Sequence, residues 1–358
     1  MIVYPDYVAI IVQDFNGHRL GYVRRIVDEA LARGAKPIVV AVTGTKTSDE
    51  YGTHLAEVAG TVSVTEVEEL TLTSVKHALP SIFDGPLIFP DGDRWLGLLA
   101  RARAPWTGGS RVLVMRPTGQ STSGLTRALQ TVMKKMLRRV VGCRPGIDVF
   151  TLASSATAHL GAREVRDPVT FAAAPERIAD MRRAWAEDAE PANIYWFGVI
   201  GALGARKNID IIASAVASID QPNIGLALLG RATPDEEAMT AWTACLRKSG
   251  GRYFRDSRQL SDEDFDAAVA ALDCVILAHS NEGPSGVFGK ARAAGTRVIA
   301  AGAKSLKRDA RLAPDLATWV PLEEATLTRA LADAVGMPAP GPSAPESASF
   351  ARRLIQGA

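Results

Sequence analysis

Arg206 and Lys207 stand together behind a glycine-bearing turn that follows an apolar run, in residues 194–212 (IYWFGVIGALGARKNIDII). Two cations beside a helix start suit a dianionic phosphate ester, because a helix N-terminus carries unpaired N–H groups and about half a positive charge. Without a ligand the pair is unfavourable: cations there oppose the helix dipole by a few tenths up to about 1 kcal/mol. The competing reading is two solvated first-turn side chains. Residues 275–302 (VILAHSNEGPSGVFGKARAAGTRVIAAG) repeat the strand, loop and helix plan with Glu282 in a Gly-Pro turn. A carboxylate there is open to a ligand at the carboxyl edge of a parallel sheet, although an exposed loop glutamate would look the same. His279, just before it, reads equally well as a core histidine. Two such loops in one half of the chain suggest opposite walls of a nucleotide pocket.

The elements that must position these loops follow from the apolar pattern. Residues 8–12 read as a buried strand, 22–33 as a helix closed by Gly34, and 37–42 as the next strand, a β-α-β start that implies a parallel sheet. Strands are expected at 61–65, 86–89, 111–115 and 148–152, the last after a long helix over about 125–141. A crossing segment at 165–169, marked by Pro168, and a helix over 175–185 lead to a second series. That series has strands at 195–200, 225–229, 252–254, 274–277 and 297–300, with helices between them. The expected fold class is α/β, two doubly wound Rossmann-like domains facing across a cleft. The expected division is 1–164, 165–337, and a linker with a last short helix at 338–358.

Composition narrows the partners. A chain of 358 residues that is 47% hydrophobic has enough apolar mass for two cores. With Lys+Arg at 41 and Asp+Glu at 39 the net charge is +2, which makes no case for nucleic acid. Cys143, Cys245 and Cys274 lie in no metal-ligand or Cys-x-x-Cys spacing and read as reduced, buried thiols of a cytoplasmic protein. Asp6 and Asp14 flank the first apolar run, which reads as a strand and not a signal peptide. No segment reaches the roughly 20 apolar residues a membrane span needs.

Residues 201–208 (GALGARKN) resemble the loop of Gly, several variable residues and Arg-Lys-Gly or Arg-Lys-Asn found in retaining glycosyltransferases of family four (group 1), which have the two-Rossmann-domain GT-B fold. The resemblance covers most of 165–335 and is general over the first half. It implies that Lys207 and Arg206 bind the diphosphate of a nucleotide-sugar donor beside Gly201, and that Gly230 and Arg231 of LALLGR line the donor site. It implies contact of Glu282 with the donor sugar hydroxyls. Family members often carry a second glutamate where Lys290 stands; it accepts from the ribose hydroxyls, and a lysine has no acceptor. Ser285-Gly286-Val287 is similar to the Ser-Gly-Val turn of a subset of the family, whose backbone N–H groups meet the diphosphate. Cations and helix N–H groups would then stabilise the leaving diphosphate without a metal or other cofactor.

In the first half, Asn16-Gly17-His18 resembles the acceptor-side loop, and Asp14 could also point into the cleft. Phe89-Pro90-Asp91-Gly92-Asp93 occupies the place of a histidine found in many relatives, so Asp91 is the catalytic-side candidate and Asp93 is expected to cap the helix from Trp95. Asp91-Gly92-Asp93 lies in the wrong half to hold a donor metal. The 125–141 helix interleaves Arg127, Lys134, Lys135, Arg138 and Arg139 with apolar residues. It could rest on anionic lipid at the inner membrane face, which suits a lipid-linked acceptor, or pack its apolar face inside. The expected activity is transfer of a hexose to a glycan, lipid-linked or small-molecule acceptor in glycoconjugate biosynthesis. The rival is a non-catalytic homologue that binds a nucleotide sugar or stabilises a partner. An epimerase lacks an identifiable acid/base pair, and no Gly-x-Gly-x-x-Gly supports a dehydrogenase.

Overall fold

The computed structural model describes residues 6–15, 19–102, 108–119, 124–186, 194–221, 223–231, 236–248, 250–343 and 348–358. The chain divides into two compact units, the first formed by Met1–Ala153, His159–Pro168 and Ser347–Ala358, the second by Ser154–Ala158 and Val169–Glu346.

The first unit holds strands β1 (Tyr7–Val12), β2 (Lys36–Val42), β3 (Ser63–Val67), β4 (Leu87–Phe89), β5 (Ser110–Val114), β6 (Ile147–Ala153) and β7 (Glu164–Arg166). They form one sheet in the order β3-β2-β1-β4-β5-β6-β7. Its helices are α1 (Arg19–Ala32), α2 (Asp49–His54), α3 (Leu72–Ala78), α4 (Leu96–Arg101) and α5 (Gly124–Gly142). β1 is apolar throughout because both sheet faces are covered. Val8, Ile10 and Val12 face Val23 and Ile26 of α1, while Ala9 and Ile11 face Val75 of α3 and Leu96 and Leu99 of α4.

In the second unit α6 (Pro175–Ala186) precedes β8 (Tyr195–Ile200), α7 (Ile209–Ala217), β9 (Ile224–Leu229), α8 (Glu236–Lys248), β10 (Arg252–Asp256) and α9 (Asp262–Ala271). Then come β11 (Cys274–His279), α10 (Gly286–Ala294), β12 (Arg297–Gly302), α11 (Lys304–Leu312), β13 (Ala317–Val320) and α12 (Glu324–Ala334). The sheet order is β10-β9-β8-β11-β12-β13. Every described pairing in both sheets is parallel. Trp196, Ile200, Val275 and Leu277 pack toward α9 and α10; Phe197, Val199 and Ile276 pack toward α7 and α12. The α/β fold class is therefore that read from the sequence.

The differences have local causes. β3 starts at Ser63, two residues later than expected, and the 165–169 crossing contains the short edge strand β7. Helix α2 buries none of its residues and so shows no apolar stripe, whereas α11, not expected from the sequence, is amphipathic and buries Leu306, Asp309 and Ala310 on one face. A last helix, α13 (Ala348–Gln356), puts Phe350 and Leu354 into the first unit's core, with the Phe350 ring 5.2 Å from Tyr22 of α1. Cys274 is buried, but Cys143 and Cys245 are exposed, against the expectation of three buried thiols. Helix α5 turns Thr131, Lys134 and Arg138 toward its unit, where they bond to Gly119, Asp93 and Thr151, and leaves most of its apolar residues outside.

Candidate functional site

The strand order of the second unit reverses at β8 and β11, which lie side by side while the chain departs from them in opposite directions. Such a topological switch point opens a crevice at the carboxyl ends of the two strands. Gly201, directly after β8, has φ of 100°, and Gly230, directly after β9, has φ of 116°. A Cβ on Gly230 would lie 2.6 Å from the Gly201 carbonyl oxygen, so the two loops approach as closely as they do because Gly230 lacks a side chain.

Arg206 and Lys207 stand beside the helix start, as expected, and not in its first turn, as the competing reading had it. They belong to a 3-10 turn, Ala205–Lys207, and α7 starts at Ile209 after Asn208, which has φ of 51°. This turn carries Lys207 inward until it is 4% exposed, where Nζ donates to the Ile200 carbonyl at the end of β8. A Cβ on Gly201 would be 3.6 Å from this ammonium, so the glycine leaves room over it. Among the described residues no carboxylate pairs with Lys207. Burial, and then the neighbouring Arg206 charge, push its pKa down to about 8. A desolvated cation with one carbonyl partner costs free energy, and an anion would recover it. Arg206 is exposed, and its carbonyl accepts from the Ser280 N–H at 3.1 Å. Asn208 Nδ2 donates to the Ala278 carbonyl at 2.6 Å. These two bonds tie the Lys207 turn to the end of β11, so the two glycine-bearing stretches of the sequence meet.

His279, the last residue of β11, has its Nε2 sealed from solvent with no hydrogen-bond partner among the described residues. Burial, Lys207 and Arg206 together push its pKa down to about 3, so it is neutral beside the lysine. In the loop that follows, Glu282 accepts from the N–H groups of Lys304 at 3.0 Å and Ser305 at 2.8 Å. It closes the start of α11, whose own N-cap, Ala303, has no side-chain bond to give. Both carboxylate oxygens are fixed by this, and each keeps a lone pair for a further donor. Ser285 caps α10: its Oγ accepts from the Phe288 N–H at 3.3 Å. That leaves Gly286 and Val287, the first two residues of α10, with amides that have no acceptor within the helix. Arg231 is exposed behind Gly230.

Lys290 is engaged elsewhere. Its Nζ donates to Asp266 Oδ1 and to the Thr170 carbonyl at 3.1 Å, and Asp266 Oδ2 accepts from the Ala172 N–H at 2.9 Å. The Asp266 side chain is 5% exposed. Nothing in the local sequence announces this pair, since Asp266 sits 24 residues earlier on another helix.

The first unit has its own switch point, between β1 and β4. Asp91, after β4, accepts from Arg19 Nε at 2.8 Å, and Arg19 also lies 3.4 Å from Asp14, after β1. Arg94 is 3.6 Å from the same Asp14. The role of Arg19 and Arg94 was not foreseen, although a basic residue just past each carboxylate was there to be noticed. Asp93 does not cap the next helix: it accepts from the N–H groups of Met115 and Arg116 and from Lys134, closing the end of β5. Asn16, Gly17 and His18 lie outside the described residues. Among the described residues no group of three or more His, Cys, Asp or Glu side chains is arranged to hold a metal ion.

No family model matches the chain, and no curated protein matches it in sequence. Solved structures match it along its whole length. HepE of Anabaena, in complex with UDP, is 13% identical with a TM-score of 0.63, over 98% of this chain and 93% of that one. The sucrose-phosphate synthase of Thermosynechococcus elongatus is 15% identical with a TM-score of 0.62, over 98% and 93%. WaaG, a glycosyltransferase involved in lipopolysaccharide biosynthesis, is 13% identical with a TM-score of 0.54, over 97% and 94%. The chain thus shares the GT-B fold of these proteins.

Proposed function

We propose that this protein is a glycosyltransferase of the retaining, group 1 (family four) type that moves a hexose from a nucleoside-diphosphate sugar to a glycan, lipid-linked or small-molecule acceptor. The observation that carries the reading is Lys207, a buried ammonium at the switch point of the second unit with no carboxylate partner among the described residues. A diphosphate is the ligand such a cation lacks. HepE has been captured with UDP and with UDP-glucose, so UDP donors are the first to try.

In this reading Lys207 and Arg206 take the diphosphate, Gly201 leaves room for it over the ammonium, Gly230 lets its loop close on Gly201, and Arg231 stands at the rim. The N–H groups of Ser285, Gly286 and Val287 meet the phosphate at the start of α10. As the bond to the anomeric carbon breaks, the leaving diphosphate gains charge, and fixed cations and amide dipoles stabilise it without reorganising. Glu282, held by the first amides of α11, accepts from the sugar hydroxyls. Asp91 and the 16–18 loop serve the acceptor. The site is proposed to act in the cytoplasm, in glycoconjugate biosynthesis and without a metal.

One observation favours a second reading. Lys290, locked to Asp266, occupies the position where many relatives carry the ribose-binding glutamate. That suits a non-catalytic homologue that binds a nucleotide sugar or stabilises a partner. Calorimetry with a panel of nucleoside diphosphates, on wild type and Lys207→Ala, tests the donor site. Hydrolysis of the matching nucleotide sugar then separates enzyme from binder. If none of the nucleotides binds, the catalytic reading fails and the partner-stabilising homologue is left.

A further inference from the structure

Helix α5 is inside out. Among the described residues ten large apolar side chains are exposed, and six of them are on this one helix. Leu125 is 87% exposed, Leu129 70%, Val132 64% and Met136 67%, with Met133 and Val140 beside them. These positions recur at intervals of three and four, so they form one continuous outward stripe about 22 Å long at 1.5 Å per residue. A helix that merely completed a core would turn this stripe inward. Instead its inward face carries Thr131, whose Oγ1 accepts from the Gly119 N–H at 2.9 Å, and Lys134, whose Nζ reaches Asp93 at 2.8 Å. Arg138 bonds to Thr151 on the same side. Those bonds fix the helix in its rotation, so the apolar stripe cannot roll under.

The charge around the stripe selects what covers it. The 19 residues of α5 include Arg127, Lys134, Lys135, Arg138 and Arg139 and no Asp or Glu. Lys135 and Arg139 are exposed on the flank of the stripe. A second copy of the chain would have to bring this acid-free face against itself, because a two-fold interface repeats one patch on both partners. Like charges would then meet around the contact. No described helix is long and apolar enough to cross a membrane, and α5 in particular carries too many cations to do so. Leucine, valine and methionine side chains ringed by lysine and arginine, on a helix lying along a surface, match the boundary between acyl chains and anionic headgroups.

We propose that α5 is a membrane-docking helix that seats the first unit on an anionic lipid surface, with Leu125, Leu129, Val132 and Met136 in the acyl region and Lys135 and Arg139 among the headgroups. The docking needs no nucleotide, so it stands or falls independently of the donor site.

The test is flotation of the full-length protein with vesicles of phosphatidylcholine alone and of phosphatidylcholine with phosphatidylglycerol, without nucleotide. Wild type floats with the anionic vesicles and far less with the neutral ones. Lys135→Gln/Arg139→Gln weakens the anionic binding by on the order of 10-fold or more, and Leu129→Asp/Met136→Asp removes it. All four positions are exposed, and circular dichroism and unchanged thermal unfolding confirm that the variants fold. Amide exchange across 124–142 slows when anionic vesicles are added to wild type. No binding of wild type to anionic vesicles overturns the proposal, as does binding that both double variants retain. Sedimentation that shows a dimer lost in Leu129→Asp/Met136→Asp also overturns it and makes the stripe an interface between copies.

Discussion

The two switch points of this molecule have the same topology and different electrostatics. In the first unit Arg19 lies between Asp14 and Asp91, and with Arg94 beside Asp14 two cations balance two carboxylates. In the second unit Lys207 is deeper and faces backbone, with no described carboxylate in reach. The difference teaches what a crevice is prepared to accept. A cation already held by two carboxylates has little to gain from an anionic ligand. An ammonium held away from water by a strand-end carbonyl has much to gain.

The largest expected effect sets the two cations against each other in binding. Lys207→Ala should weaken nucleoside-diphosphate binding by about 1.5–3 kcal/mol, the worth of a charge-assisted contact. Arg19→Ala should leave that affinity unchanged by calorimetry. Equal losses in both would erase the distinction.

Stability measured without added nucleotide should move in opposite directions. Arg19→Met leaves Asp14 and Asp91 without their shared partner and should destabilise the first unit by about 1–2 kcal/mol in denaturant unfolding. Lys207→Met replaces a buried, uncompensated charge by an apolar chain of similar length. It should be neutral or stabilising by up to about 1–2 kcal/mol.

The pH response sharpens the same point. Because Lys207 in the folded protein titrates near 8, below the ordinary 10.5, the unfolded chain binds the extra proton between those values. Stability should therefore rise with pH across that window, and the rise should vanish in Lys207→Met. Nucleotide affinity should fall over the same window, since the neutral amine offers no charge. Binding measured above about pH 8 should take up a proton, seen as a dependence of the calorimetric heat on the buffer's ionisation enthalpy.

The smallest effect is expected at the rim of the first cluster. Asp14→Asn keeps the Arg19–Asp91 bond and weakens loose contacts of 3.4 Å to Arg19 and 3.6 Å to Arg94, so it should cost no more than about 0.5–1 kcal/mol by thermal unfolding. A cost above that of Arg19→Met would mean that Asp14 does more than neutralise the arginine.

Much of this fold was legible in the sequence. The apolar runs at 8–12, 37–42, 195–200, 225–229 and 274–277 are strands buried on both faces, and such runs need no partner to be recognised. Helix α2 buries no residue and leaves no periodic signal, whereas α11 carries a one-sided pattern in Leu306 and Ala310 that was there to be read. Of the candidate site, the glycines at 201 and 230 and the Arg206-Lys207 pair were readable because turn chemistry is local. The capping of α11 by Glu282 was not, since its partners are 22 and 23 residues further on.

The sequence by itself determined the alternation of strands and helices and the positions of the loops that carry cations, because both depend on neighbours a few residues apart. Only the tertiary structure decided what those cations face. Lys207 and Lys290 each follow a glycine-bearing turn, yet one is buried against the strand-end carbonyl of Ile200 and the other meets Asp266. It decided likewise that α5 shows its apolar stripe to the outside, because Asp93 and Thr151, distant in sequence, hold its polar face. Pairing of charges and the rotation of a helix are set by contacts across the fold, and no local pattern contains them.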